Sequence, residues 1–111
     1  MLEALWSVEF QSSFGMHGTG IIVLETGRIF GGDSSMIYIG SYRTQNGIIH
    51  ADINVKKYAQ VPGMASVVGF DNFNLNVTGK PDQNNLVLTG YVVEDRSRTI
   101  TIRAIRRAEL P

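Results

Sequence analysis

The chain of 111 residues contains no cysteine. A disulfide framework, a thiolate metal site and a cysteine nucleophile are therefore excluded. The formal net charge is zero, because ten lysine and arginine residues balance ten aspartate and glutamate residues. A chain without net charge lacks the positive field that drives non-specific binding to nucleic acid or to anionic membranes. The overall charge therefore does not indicate any particular class of binding partner.

Long apolar runs are absent as well. A membrane-spanning helix needs roughly 18 or more apolar residues in succession, and the sequence has no such run. Near the N-terminus, Glu3 stands where a secretory signal requires a basic region. We therefore expect a cytoplasmic protein that does not enter a membrane.

The sequence does contain a repeated alternation of apolar and polar residues. Trp6, Val8 and Phe10 alternate with polar residues, as in a strand with one buried face. Thr26-Gly27 and Asn46-Gly47 are signals for tight hairpin turns. Further strand-like segments cover residues 20–25, 28–30, 36–42, 48–58, 73–78, 86–93 and 99–104.

Eight strands with short local connections and no amphipathic helix predict an all-β fold. We expect an eight-stranded up-and-down antiparallel barrel that forms one domain over residues 1–111, since closing the sheet removes its exposed edges. The interior of such a barrel is either filled by side chains or holds one small ligand. We expect a mostly filled interior, with these large apolar residues pointing inward: Trp6, Phe10, Phe30, Phe73 and Leu88.

The fourth predicted strand is apolar on both faces, with isoleucines on one and methionine and tyrosines on the other. A barrel strand should carry polar residues on its outer face. The pattern indicates either a partly covered surface with exposed aromatic residues or an oligomer contact. The second interpretation gives five candidate dimer contacts, Met36, Ile37, Tyr38, Ile39 and Tyr42.

Residues 59–71 lose the alternation and include Pro62 and Gly63. A loop of this length in a small domain is usually functional or packed on the core. It forms either a lid over one mouth of the barrel or a segment packed against the interior. As a lid over a small apolar ligand, it offers Val61, Met64, Val67 and Val68 as contacts.

No catalytic or metal-binding group is expected. His17 and His50 are the only histidines, and they do not have the spacing of metal ligands. Asp33 and Asp71 follow glycine-rich or loop segments and are typical turn residues. We therefore expect no metal, no cofactor and no enzymatic activity.

Half of the basic residues fall in the last sixteen positions, from Arg96 to Arg107. Together with Tyr91 they could hold a single strand of nucleic acid by stacking and phosphate contacts. Glu94, Asp95 and Glu109 dilute this charge, and arginines commonly solubilise an exposed β face. We do not expect direct nucleic-acid binding.

Three segments, residues 18–23, 27–33 and 38–40, resemble the GrlR family of bacterial regulators, which are negative regulators of type III secretion, and its uncharacterised relatives. The Gly31-Gly32-Asp33 segment is the most specific part of the resemblance. It implies a lipocalin-like (calycin) barrel, a homodimer, and action through contact with a transcriptional activator.

The chain departs from this family at one loop. The enteric regulator of the family has four acidic residues there, whereas this chain has Arg43, Thr44, Gln45 and Asn46. A basic partner attracted to an acidic loop would lose its electrostatic complementarity here. The four residues remain candidates for contact with a different partner.

Two hypotheses for function follow. The first is a non-enzymatic, homodimeric regulatory protein that acts through protein–protein contact, with a transcription regulator as its expected partner. The alternative is a carrier of a small apolar ligand of the lipocalin type.

Overall fold

A computed structural model describes residues 2–13, 15, 17–59 and 70–111. Throughout this part of the chain the regular structure is all strand. The strands are β1 (Ala4–Ser12), β2 (His17–Glu25), β3 (Arg28–Gly32), β4 (Met36–Gln45), β5 (Ile48–Lys57), β6 (Asn72–Gly79), β7 (Asn85–Val92) and β8 (Asp95–Ala108).

The strands form a closed barrel in which every strand is antiparallel to its neighbours in sequence. Pairing between β1 and β8 completes the ring, with Trp6 opposite Arg106 and Phe10 opposite Ile102. The predicted eight-stranded up-and-down barrel is confirmed, and its architecture is lipocalin-like.

The two predicted tight turns have the backbone geometry that a two-residue hairpin requires. Thr26 and Gly27 have φ values of 50° and 79°, and Asn46 and Gly47 have values of 54° and 77°. Positive φ at both central residues matches the right-handed twist of the flanking strands. Both turns are therefore confirmed.

The core lies inside the barrel and is built from alternate residues of each strand. Trp6, Phe10, Phe73 and Leu88 are buried, as predicted. The prediction for Phe30 is wrong, because Phe30 is 37% exposed on the outer face while its neighbour Ile29 is buried. Successive residues of a strand face opposite sides, so only one residue of this pair can point inward.

The strand bounds also differ from the prediction at the ends of β3 and β4. Gly31 and Gly32 belong to β3 rather than to the turn. A Cβ atom on Gly31 would collide with the carbonyl oxygen of Ile21 on β2, so the close approach of these strands requires glycine. β4 continues to Gln45 because it pairs with β5 up to the Asn46-Gly47 turn.

Candidate functional site

The interior of the barrel is nearly filled by apolar side chains. Among the described residues, the central cavity measures about 20 Å³, and a second cavity of about 30 Å³ lies beside Asp33 and Tyr38. A cavity needs roughly 10–15 Å³ of this volume to hold one water molecule. Each of these two cavities thus has room for single waters and not for an apolar ligand.

The predicted lid contacts fall outside the described part of the chain. These residues are Val61, Met64, Val67 and Val68. The lid therefore stays a prediction.

Asp33 closes the turn between β3 and β4. Its Oδ1 atom accepts hydrogen bonds from the backbone N–H groups of Ser35 and Met36, both at 2.8 Å. Its backbone carbonyl accepts a bond from the hydroxyl group of Tyr58 at 2.8 Å. Asp33 is thus the turn residue that the sequence predicted, and it also anchors the end of β5.

The same carboxylate reaches into the barrel through Oδ2, which accepts a hydrogen bond from the Tyr38 hydroxyl group. The Tyr38 ring is buried and meets Phe10 edge-on, with the ring centroids 5.3 Å apart. Burial raises the pKa of the Tyr38 phenol far above its usual range, and the bond to Asp33 and the negative charge of Asp33 raise it further. Tyr38 therefore stays protonated as a hydrogen-bond donor at neutral pH.

The five candidate dimer contacts divide between the two faces of β4. Ile37 and Ile39 point outward and are 38% and 55% exposed. Met36 and Tyr38 are buried inside the barrel, and Tyr42 packs against the same core. These three assignments are corrected: their side chains occupy the interior face, since alternate residues of β4 face the core.

The outward isoleucines belong to a larger apolar surface, which we call the outer apolar face and which consists of Ile21, Phe30, Ile37 and Ile39. Phe30 lies directly opposite Ile39 in the pairing of β3 with β4. Gly32 lies between Ile21 and Ile37 in the neighbouring row across the same three strands. Ile21 and Phe30 are 44% and 37% exposed.

Sequence reasoning missed Ile21 and Phe30 as members of this surface. The outward positions of β2 and β3 could have been read only after fixing the register of the Thr26-Gly27 hairpin, which pairs Val23 with Phe30. The two-residue turn supplies that register. The Thr26-Gly27 turn was therefore the sequence signal from which Ile21 and Phe30 could have been assigned to the outer apolar face.

Polar side chains border the outer apolar face along β5 and β6. Lys56 and Asn54 are the outward residues of β5 that pair with Ile37 and Ile39, and Asp52 is the next outward residue of β5. The Asn54 amide donates to Asn74 Oδ1 at 3.1 Å, and the Asn76 amide donates to Asp52 Oδ1 at 2.9 Å. An apolar centre with a hydrogen-bonded polar border is the usual composition of a protein–protein interface.

The predicted partner loop is the end of the β4–β5 hairpin. Arg43, Thr44 and Gln45 are the last residues of β4, and Asn46 begins the turn. All four are exposed. The segment is therefore a strand end plus a tight turn rather than a loop, and it extends beyond the last residue of β4 that pairs with β3, Ser41.

Metal-binding chemistry does not appear in the described residues, where no group of three or more histidine, aspartate or glutamate side chains converges. The same residues contain no helix of the length and apolar character needed to cross a bilayer.

Comparison with known proteins does not add an assignment. No protein-family model matches the chain, and no curated protein matches it at a significant level.

Proposed function

We propose that this protein acts by protein–protein contact and that it forms a homodimer through the outer apolar face. The observation that supports this proposal is the exposure of four large apolar side chains at adjacent positions on three consecutive strands: Ile21, Phe30, Ile37 and Ile39.

A single-layer barrel buries only its inner face within the monomer. Apolar side chains on the outer face gain roughly 25 cal/mol for each Å² of surface that a partner removes from water. Single exposed apolar residues are common, whereas a contiguous patch with a polar border marks an interaction surface. The outer apolar face meets this description.

A second copy of the chain is the partner that the border favours. Asp52 and Lys56 on β5 give the border both signs of charge. In a two-fold dimer the same patch contacts itself, so a surface with balanced charges brings no net repulsion to the contact. A partner with a large net charge of one sign would find no opposite net charge on this border.

The regulatory part of the proposal is supported by the resemblance to the GrlR family, in which a transcription regulator is the partner. At the hairpin end, Arg43 is followed by three neutral residues, Thr44, Gln45 and Asn46. Electrostatic complementarity therefore favours a partner whose contacting surface is neutral or acidic.

The carrier hypothesis receives less support. Cavities of about 20 and 30 Å³ lie among the described interior side chains, and a ligand pocket typically measures about 300–1,000 Å³. We therefore favour contact through the outer surface.

Size-exclusion chromatography with light scattering tests the dimer. The wild-type protein should have twice the chain mass of 12.2 kDa at micromolar concentration. Ile39→Lys should shift it to the monomer, because the charge would be buried at the centre of the contact. Val93→Lys is the matched control, since Val93 is an exposed aliphatic residue outside the outer apolar face.

A wild-type monomer at all concentrations would refute the dimer. An Ile39→Lys protein that remains as dimeric as Val93→Lys would refute this surface as its interface. The regulatory proposal needs a separate experiment: capture from the native host, followed by identification of the bound proteins, should recover a transcription regulator. Recovery of none would contradict that part of the proposal.

A further inference from the structure

The end of the barrel at Trp6 carries two arginines that the contact function does not use. We propose that Arg106 and Arg107 bind a small anionic molecule that carries a phosphate or carboxylate group. The binding site would be the open groove between the end of β8 and the turns at this end of the barrel.

This groove has a volume of about 980 Å³. It lies between Glu3, the β2–β3 turn at Thr26, the β6–β7 turn at Gln83 and Asn84, and the end of β8. Its lining is predominantly charged and polar. A lining of this kind suits a hydrated, charged ligand rather than an apolar one.

The two arginines stand at a β-bulge beside the groove. Trp6 pairs with Arg106, but the preceding residue Leu5 pairs with Ala108, so Arg107 is the extra residue on β8. In a regular strand consecutive side chains face opposite sides. Arg106 lies over the inward-facing Trp6, whereas Arg107 bonds to Ser7 on the outer side of β1. Both arginines nevertheless line the groove at this rim of the barrel.

Arg106 is held by an aromatic ring rather than by an ion pair. Its guanidinium carbon lies 5.6 Å from the centre of the Trp6 ring, within the range of a cation–π contact. Trp6 is fully buried, and its indole N–H donates to the carbonyl of Leu2 at 3.0 Å. The ring therefore offers the guanidinium a fixed platform.

The Nε–H donor of Arg106 lacks an acceptor in the described part of the chain. Its Nε atom is buried and forms no hydrogen bond there, and the ion pairs found among the described residues do not include Arg106. A buried donor without an acceptor is unfavourable. An anion in the groove would give the guanidinium the charged partner that the protein does not supply.

Two of the three acidic residues that line the groove have partners within the protein. Glu3 accepts bonds from Thr26 at 2.8 and 3.1 Å, and Glu25 forms an ion pair with Arg28. Arg107 uses its Nε atom to bind the Ser7 hydroxyl group at 2.7 Å. Glu3 and Glu109 keep their negative charges and balance those of Arg106 and Arg107. The case for an anion therefore rests on the unfilled donor of Arg106 and not on the net charge of the groove.

The chemistry of arginine defines the class of ligand. A guanidinium group presents paired N–H donors in a plane and binds two oxygens of one carboxylate or phosphate. The side-chain amides of Gln83 and Asn84, in the turn beside the end of β8, can donate to further oxygens. A compact anion with several oxygens fits both sets of donors.

Trp6 is the only tryptophan of the chain, so its fluorescence reports on the site directly. We would titrate the 111-residue chain separately with inorganic phosphate, pyrophosphate and citrate, with sodium chloride at matched ionic strength as the reference. At least one of the three anions should give a saturable change in Trp6 emission that chloride does not give. The phosphate and citrate titrations distinguish a phosphorylated from a carboxylated ligand.

Arg106→Gln should weaken the binding of the responding anion at least tenfold. Arg106→Lys should weaken it less, because it keeps the charge and loses the paired donors. Arg103→Gln is the control, since Arg103 lies on the outer side of β8 and does not line the groove. Circular dichroism confirms that each variant keeps the strand content of the wild type.

An NMR titration of the wild-type protein keeps the proposal testable if a variant fails to fold. The Arg106 Nε–H resonance should shift with the same apparent dissociation constant as the fluorescence change. The proposal is overturned if the wild type responds to chloride as it does to the three anions, or if Arg106→Gln and Arg103→Gln bind equally well. These results are independent of the dimer, which light scattering measures.

Discussion

The Tyr38 hydroxyl group donates a hydrogen bond to the carboxylate of Asp33, five positions earlier in the chain. The other carboxylate oxygen accepts two backbone N–H groups of the β3–β4 turn at 2.8 Å. One side chain therefore joins the turn at the barrel end to a ring in the core. This pair gives a physical reason for an aspartate directly after Gly31-Gly32.

Tyr38→Phe should destabilise the protein by about 1.5–3 kcal/mol, because it removes a hydrogen bond to a charged group and leaves the carboxylate with one acceptor site unfilled. Urea unfolding measures the loss. Tyr91→Phe is the matched control, since Tyr91 is only partly buried and its ring contact with Arg96 survives the change; its cost should stay within about 0.5 kcal/mol. Equal costs for the two variants would contradict the role of Tyr38.

The raised pKa of Tyr38 predicts a loss of stability in alkaline solution. Burial is its main cause, followed by the bond to Asp33 and its charge. Because the folded state holds the phenol proton more tightly than the unfolded state, the stabilisation is present below about pH 10, the ordinary tyrosine pKa. It is lost progressively as the pH rises above that value.

Urea unfolding between pH 8 and pH 11 tests this dependence. Above about pH 10, the free energy of unfolding of the wild type should fall more steeply than that of Tyr38→Phe, by up to about 1.4 kcal/mol per pH unit for one proton. Parallel curves for the two proteins would show that Tyr38 does not titrate differently in the folded state.

Gly20 controls the position of the Tyr38 hydroxyl group. A Cβ atom at residue 20 would lie 2.8 Å from this oxygen and 3.1 Å from the carbonyl oxygen of Gly32. Gly20→Ala should therefore push the phenol away from Asp33 and destabilise the protein by about 1–3 kcal/mol. In the Tyr38→Phe background the cost should be smaller, since no hydroxyl group remains to be displaced. An equal cost in both backgrounds would refute this coupling.

Glu3 supports a turn residue with an unfavourable backbone conformation. Thr26 has a φ of 50°, which is strained for a residue with a branched side chain. Glu3 Oε2 accepts its N–H and hydroxyl groups at 2.8 and 3.1 Å. Glu3→Ala should lower the thermal midpoint, at a cost of about 1 kcal/mol.

A double-mutant cycle with Thr26→Gly checks the assignment. Glycine removes the hydroxyl donor and relieves the φ strain, so Glu3→Ala should cost less in that background. Full additivity of the two changes would mean that Glu3 does not act through Thr26.

Much of this fold follows from local sequence signals. The alternation of Trp6, Val8 and Phe10 predicts β1 and its inner face, and all three residues are buried. Asn46-Gly47 predicts the β4–β5 hairpin because few other dipeptides accept positive φ at both positions. These signals are local, so they do not depend on the rest of the molecule.

Local signals could not predict which of two adjacent apolar side chains points into the barrel. Ile29 and Phe30 are both large and apolar, and size favours Phe30 as the interior residue. The pairing of Phe30 with Val23 across the β2–β3 hairpin instead places Phe30 on the outer face. The outer apolar face depends on this register, which alternation within a single short strand does not fix.

The groove at Trp6 was also beyond sequence reasoning. The predicted eighth strand ended at Ala104, whereas β8 continues to Ala108. Arg106 and Arg107 follow the last alternating residues, and β8 has a bulge there, opposite Leu5 and Trp6. A bulge depends on the partner strand, and β1 lies about one hundred residues away.

The closure of the barrel between β1 and β8 has a consequence for folding kinetics. Each of the other pairings joins strands that follow one another in the chain, whereas Ser7 and Arg107, which bond across the closing strands, are 100 positions apart. Contacts so distant in sequence carry the largest loop-closure entropy and slow the folding of β proteins. Trp6 lies on β1, so its emission during refolding would record when the ring closes, separately from the earlier formation of the hairpins.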